Sequence, residues 1–525
     1  MTSAEILVGL LGAVTVLAGV ARRLGVPAPI ILVLCGVLVG LIPGLPTVRL
    51  SPDVIFFVFL PPLVYGAGFN SSPRELRNEA RRIGVLAIGL VAATMVAVAV
   101  AVKLVVPGFG WAEGFVLGAI LAPTDPVAAA AVMQRLRVPP QLTAIIEGES
   151  LVNDGTGLVL YRLAVGATVS GTFSLPDAAL RLVLTGAGGV LVGLAVGIAV
   201  ARLRRRIDDA PIDITLSLFT PYAAYIAAEA LGASGILAAV TVGVHLGARR
   251  DGLFSAEARI EAQGFWRALI FMLESTLFLL MGLQIRAVAG GIEHLDAGVV
   301  TLAVAVTILV VTVLRVAWMF TAGPVLRRLI PGHRSAEPRP LGTGPRLVVG
   351  WAGMRGAVSL AAALAIPAQV DGGAAFPQRN LIIFVVFCAI VIGLLVQGLT
   401  LPALIKATGL GRDEDDDAAD EAHARAAAAE AALSRLRQME ADCDDQRATG
   451  HLRELYEARL GHARAPLDES GSEQRRHVET FQRLREELLR SEREALHELH
   501  GRGEISEDAL RTVERDLDLQ EARLE

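Results

Sequence analysis

An amide and a carboxylate, Asn153-Asp154, stand inside a long apolar stretch that runs Glu149-Ser150-Leu151-Val152-Asn153-Asp154-Gly155-Thr156-Gly157. A charged side chain at membrane depth is costly and persists mainly where it has a function. An upstream apolar run carries a second acid between helix breakers, Ala122-Pro123-Thr124-Asp125-Pro126. Ser150 and Asp154 are four residues apart, so on a helix they share a face. Asn153 is placed to hydrogen-bond across to the broken helix. A hard monovalent cation such as Na⁺ wants several oxygen ligands. Asp154, Ser150 and the hydroxyl or carbonyl of Thr124 supply them. Burial disfavours the charged form of a carboxyl. A proton or a cation can therefore each neutralise Asp154, but not both at once, and that competition suffices for exchange. The alternative is a structural Asp154 paired with a buried base, for which Arg162, Arg315 and Arg355 are the candidates.

Positioning these groups requires membrane helices. The chain has 525 residues, is 53% hydrophobic and has a mean hydropathy of +0.54. Its apolar runs recur at lengths near the ~20 residues that cross a bilayer, which reads as an all-α polytopic membrane protein rather than a barrel of short alternating strands. Breaks between runs predict about thirteen spans, near 4–21, 27–46, 52–69, 83–106, 111–133, 142–168, 178–201, 213–231, 233–248, 264–285, 297–326, 345–369 and 380–408. About twenty arginines follow odd-numbered spans and three, Arg49, Arg286 and Arg379, follow even ones. Positive residues stay inside, so the N-terminus is expected outside and the C-terminus in the cytoplasm of a multi-pass inner-membrane protein. The first run lacks a basic n-region and reads as a retained span. Cys35, Cys388 and Cys443 have no disulfide or metal spacing. The net charge of −5 averages two unlike parts, an apolar 1–410 and a charged 411–525. The tail opens on an acidic linker and continues in four helix-favouring stretches, near 418–442, 446–464, 472–500 and 505–523. It reads as a soluble helical appendage, either inert or a regulatory or dimerising domain.

Two of the spans are expected to break. Pro126 interrupts one, since proline has no N–H to give its helix. Seven spans later Gly350, Gly353 and Gly356 weaken another. Interruptions at corresponding positions point to inverted repeats, about 1–168 and 213–408, with a transport site at the midplane. Asp125 can neutralise an exposed helix N-terminus and Arg355 an exposed C-terminus. Glu149 is the expected partner of Arg355, with Glu147 the alternative. Glu229 and Glu274 are further acids at depth, either accessory cation attractors or structural partners.

These residues resemble the cation/proton antiporter-1 family, the sodium/proton exchangers. The resemblance rests on Phe59-Leu60-Pro61-Pro62-Leu63, Thr124-Asp125-Pro126, Glu147 through Asp154, Ser234-Gly235-Ile236-Leu237-Ala238, Met354-Arg355-Gly356-Ala357-Val358 and Gln397-Gly398-Leu399-Thr400-Leu401-Pro402. It implies a thirteen-span fold, a homodimer and a core moving against a dimerisation domain. It implies that Asp154 binds Na⁺ and H⁺ in turn with Asn153, Ser150 and Thr124 as companions, and that Glu149 and Arg355 form a stabilising pair. One departure is Gly66, which stands where many members carry an acid. One cation ligand is then missing or replaced by water. Related antiporters with an Asp-Asp pair are electrogenic, whereas Asn153-Asp154 offers one carboxylate and predicts electroneutral 1:1 exchange. The partners implied are Na⁺ (or K⁺, Li⁺), H⁺ and the lipid bilayer, with no cofactor and no nucleic acid, and a regulatory ligand or protein for the tail. Competing readings are a sodium-coupled symporter and an intramembrane aspartyl protease using Asp125 and Asp154. The protease would need Tyr-Asp and Gly-x-Gly-Asp contexts that neither acid has. A channel would need a repeated pore loop, which is absent.

Overall fold

A computed structural model describes residues 3–43, 51–172, 174–207, 209–249, 256–329, 341–411, 414–440, 445–464 and 472–521. Arg49, Arg250, Arg334, Arg339 and Cys443 from the sequence reading lie outside the described residues. Contacts divide the chain into two compact units, Met1–Gly411 and Arg412–Glu525. Among the described residues the secondary structure is helical throughout, apart from one isolated bridge between Gln369 and Ala375.

In the first unit six helices are long and apolar enough to cross a membrane: Pro52–Asn70, Pro73–Val105, Pro176–Arg204, Ala258–Gly290, Ala297–Ala322 and Arg379–Ala407. Helix Pro140–Ser170 has 31 residues, ample for a bilayer, but Glu147, Glu149, Asp154 and Arg162 dilute its hydropathy. Many helices start with proline in the first turn, where the missing N–H would be unbonded anyway. Ser72, Asp209 and Ser234 cap the helices that follow them. Two helices widen into π-turns, Ile55–Phe59 and Val85–Leu90, which the sequence pattern did not foretell.

Two buried clusters organise this unit. The larger gathers the half-helices described below with Pro140–Ser170, Val91–Val105, Ala297–Leu329 and Arg379–Ala407. The second joins Leu60–Asn70, Leu175–Arg204, Ala210–Ala230, Gly235–Gly247 and Ala256–Leu283 around Tyr65, Ala224, Val242 and Trp266. In a membrane, helices associate through close packing of small residues. Here a Cβ on Gly193 would strike the Ala238 carbonyl, and one on Gly243 the Tyr65 carbonyl. A buried pair, Arg204 Nε to Asp213 Oδ1 at 3.2 Å, ties two helices of the second cluster.

The second unit holds Glu414–Glu440, Gln446–Arg464, Ser472–Gly501 and Glu507–Glu521. Arg464 pairs with Glu430 across the first two, and Arg493 pairs with Asp518 (2.6 Å) and Glu521 (2.7 Å) across the last two. Their exposed faces are mostly charged but also carry Leu452, Leu484 and Leu488.

Candidate functional site: two helix breaks and the polar helix beside them

The predicted span at 111–133 is two half-helices, Trp111–Leu121 and Val127–Arg135. Pro123 and Pro126 have no N–H to give the helix ladder, which ends at Leu121 and restarts at Val127. The predicted span at 345–369 is likewise Thr343–Trp351 and Ala357–Leu364, separated at Gly353 and Gly356. The two breaks touch: the Asp125 N–H donates to the Met354 carbonyl at 2.7 Å.

Breaking a helix orphans N–H groups at each new start and carbonyls at each new end. This structure satisfies several of them, some from within the break and some from the opposite one. Asp125 Oδ1 accepts the Val127 N–H at 2.9 Å, and the same carboxylate accepts from Ala357. One side chain thus serves the N-termini of both second halves, where a negative charge is favourable. At the end of Trp111–Leu121, Arg355 Nε donates to the Leu121 carbonyl at 2.9 Å and Ser359 Oγ to the Ile120 carbonyl at 2.8 Å. Arg355 also donates to the Gly353 carbonyl. Gly356 is required by this geometry, since a Cβ there would run into the Asp125 carboxylate.

Helix Pro140–Ser170 lays its polar face against the first break. Ser150 Oγ donates to the Thr124 carbonyl at 2.8 Å, and Asn153 Nδ2 to Thr124 Oγ1 at 3.0 Å. Thr124 Oγ1 donates in turn to Glu149 Oε1 at 3.3 Å. Thr124, Glu149, Ser150 and Asn153 are all buried. Asn153 Oδ1 has no hydrogen-bond partner. Asp154, next along the helix, is half-buried, and among the described residues no side chain or backbone group pairs with it. Its electrostatic neighbour is Asp125, a like charge. The structural alternative for Asp154, a partner among Arg162, Arg315 and Arg355, is not what the structure shows: each of those arginines is engaged elsewhere.

The expected Glu149–Arg355 pair is corrected. Glu149 is gripped by Arg315, through Nη1 to Oε1 and through Nη2 to Oε2 at 2.8 Å. Arg315 Nη2 also donates to the Val349 carbonyl, 3.3 Å away near the end of Thr343–Trp351. The reason is competition among acceptors: Arg355 sits inside the break and is held by the carbonyls freed there. Arg315 enters from the long apolar helix Ala297–Leu329, with a planar fork suited to a carboxylate. Glu147 does not take the role either; it is half-buried and pairs with neither arginine. Ser359 was missed because a serine in a run of alanines carries no sequence signal. Arg315 had one, since a lone arginine in an apolar helix must find a partner.

The remaining candidates separate. Glu229 is held by Arg162 at 3.1 Å and accepts the Gly235 N–H at 3.3 Å. Among the described residues Glu274 has no hydrogen bond or ion pair. Gly66 is packed shut: a Cβ there would meet Ile270, with Trp266 beyond it. Apolar side chains thus close position 66 in this structure.

Interrupted helices meeting at a polar centre inside an apolar bundle define a membrane ion-transporter fold. The chain belongs to the sodium/hydrogen exchanger family: the family model described as "Sodium/hydrogen exchanger, transmembrane" matches residues 10–407. It is therefore an integral multi-pass membrane protein of a transporter family rather than an enzyme. An uncharacterized Na⁺/H⁺ exchanger of Mycobacterium tuberculosis is 37% identical over 530 residues, covering 99% of this chain and 96% of the relative. A sodium, potassium, lithium and rubidium/H⁺ antiporter of Bacillus subtilis is 33% identical over 399 residues, covering 72% of this chain and 58% of that protein. The sodium proton antiporter MjNhaP1 from Methanocaldococcus jannaschii shares the fold, with a TM-score of 0.56 and 18% identity over 78% of this chain and 99% of the neighbour.

Proposed function

We propose that this chain exchanges Na⁺ for H⁺ across the cell membrane in a 1:1, electroneutral cycle, with cation and proton competing for Asp154. The observation that carries this is the state of Asp154. Every other charged group at the two breaks is tied to a partner: Asp125 to helix N-termini, Glu149 to Arg315, Arg355 to carbonyls. Among the described residues no protein group pairs with the Asp154 carboxylate. Ser150 and Thr124 complete the cation's oxygen shell, with Asn153 fixing Thr124. The Bacillus relative, named for four alkali cations, supports including K⁺ and Li⁺ among the substrates.

Loaded with either a proton or a monovalent cation, one carboxylate is equally neutral, so a full cycle moves no net charge. Alternating access then needs no separate gate for each ion. In the full reading the chain has thirteen spans built as inverted repeats over 1–168 and 213–408, with the N-terminus outside and the tail cytoplasmic. It works as a homodimer, and residues 411–525 form a regulatory appendage.

The test is proton flux in vesicles pulsed with Na⁺, K⁺ and Li⁺, for wild type and Asp154→Asn. The variant is expected to show no cation-evoked proton release. The half-saturating Na⁺ concentration of the wild type should rise toward tenfold per unit fall in pH in the acid range, as competition requires. Retained exchange in Asp154→Asn, or a current proportional to transport in proteoliposomes, would overturn the reading.

A further inference from the structure

We propose that helix Pro73–Gly84 is a docking surface for anionic phospholipid headgroups, which a row of Arg74, Arg77 and Arg81 receives, and that lipid bound there steadies the neighbouring helix that carries Asp154.

Pro73–Gly84 opens a longer apolar helix, Pro73–Val105, of 33 residues. At 1.5 Å per residue that is about 50 Å, against about 30 Å of bilayer hydrocarbon. The charges show where the surplus lies. Residues 83–102 carry none, whereas Arg74, Arg77, Arg81 and Arg82 crowd the start. The uncharged part is long enough by itself to fill the hydrocarbon, so the first turns stand at headgroup level. Positions 74, 77 and 81 share one face of a helix, and all three arginines are exposed. Among the described residues Arg74 and Arg77 have no ion pair or side-chain hydrogen bond. The helix's two acids, Glu75 and Glu79, are four residues apart and share a different face. Glu79 is buried and holds Arg82 at 2.5 Å.

The partner follows from what lies below the row. Ile88, seven residues beyond Arg81, is 53% exposed, so the same side of the helix meets acyl chains. Guanidinium groups directly above acyl chains are placed for phosphate oxygens, which they can grip with two hydrogen bonds at once. Left bare, three like charges at spacings of three and four residues repel and weaken the helix. A headgroup relieves that repulsion.

The opposite face is fastened to the site. Leu76 and Ile83 press on Gly148, where a Cβ would strike both side chains. Glu79 Oε1 accepts from Gln141 Nε2 at 2.7 Å. Gln141 and Gly148 both belong to Pro140–Ser170, and Gly148 immediately precedes Glu149 and Ser150. Lipid that firms Pro73–Gly84 therefore firms the wall against which the ion-binding turn rests, and it raises the fraction of molecules competent to transport.

The experiment compares the full-length wild type, a triple Arg74→Gln, Arg77→Gln, Arg81→Gln variant and the corresponding triple Lys variant. Each is placed in vesicles of phosphatidylcholine alone or with about a third phosphatidylglycerol, and cation-evoked proton flux is read. Melting temperature in detergent with either lipid added is the second readout. Wild type is expected to run about threefold faster with the anionic lipid and to melt higher with it, while the Gln variant responds in neither assay. The Lys variant should keep most of the response, because the charge is kept. Anionic vesicles also concentrate cations at their surface, but equally for every variant, so the difference between variants reports the arginines. An equal response in wild type and Gln variant overturns the proposal, as does a wild type indifferent to anionic lipid in both readouts. Activation of wild type in phosphatidylcholine vesicles by soluble glycerol phosphate would also overturn it, by making the ligand a free anion. If the triple Gln variant does not fold, the Arg74→Gln, Arg77→Gln double variant is read the same way. The melting readout needs no transport, so a failure of the exchange reading at Asp154 would leave this test standing.

Discussion

At the scale of residues, the bond between Glu149 and Arg315 decides how the centre is held. Both side chains are about 1% exposed. Removing one partner of such a pair strands the other charge, at a cost of about 3–5 kcal/mol. Arg315→Met is therefore expected to lower the melting temperature of the purified protein in detergent markedly. Adding Glu149→Gln should recover part of the loss, because the stranded charge is gone. Full stability in Arg315→Met would show that the pair holds nothing together. The sequence made the acid and the amide legible, since polar groups in an apolar run announce themselves. It could not show that Arg315 rather than the expected Arg355 holds Glu149, because that choice depends on which carbonyls each arginine reaches after the helices break.

Among the elements, the two breaks differ in how they are written. Pro123 and Pro126 announce the first through missing N–H groups, and the half-helix boundaries follow. The second rests on glycines, which elsewhere in this unit serve close packing, so composition alone does not separate a break from a seam. That one carboxylate would serve both new helix starts was not readable, since Asp125 and Ala357 are brought together only by the tertiary fold. Gly356→Ala puts this to use. Its methyl group would collide with Asp125, with overpacking costs of about 1–3 kcal/mol. The expected outcome is a fall in maximal exchange rate together with lower thermal stability. Gly84→Ala, whose added methyl meets nothing within 4 Å, should be silent in both assays.

For the whole molecule, the groups proposed to bind and exchange ions all lie within Met1–Gly411, one of the two compact units. The second unit closes on itself through Arg464–Glu430 and Arg493 with Asp518 and Glu521. A chain ending at Gly411 is accordingly expected to insert, fold and exchange cations in the vesicle assay, with any change confined to its dependence on conditions. Absence of exchange from a well-folded truncated chain would make the tail part of the machinery. The apolar and charged regions were plain from composition, because burial in lipid and exposure to water demand opposite residues. The π-turns and the packing of the second cluster were not, because they follow from side-chain fit rather than from polarity.

One hydrogen bond has a wide reach. The Asp125 amide and the Met354 carbonyl lash two interrupted helices at their weakest points, and the carboxylate beside that knot caps both halves at once. Sliding one of these helices past the other would strip amides and carbonyls of the partners that now satisfy them. Whatever swing carries the ion from one face of the bilayer to the other must therefore convey both together, as a single carriage with its passenger seat already bolted down.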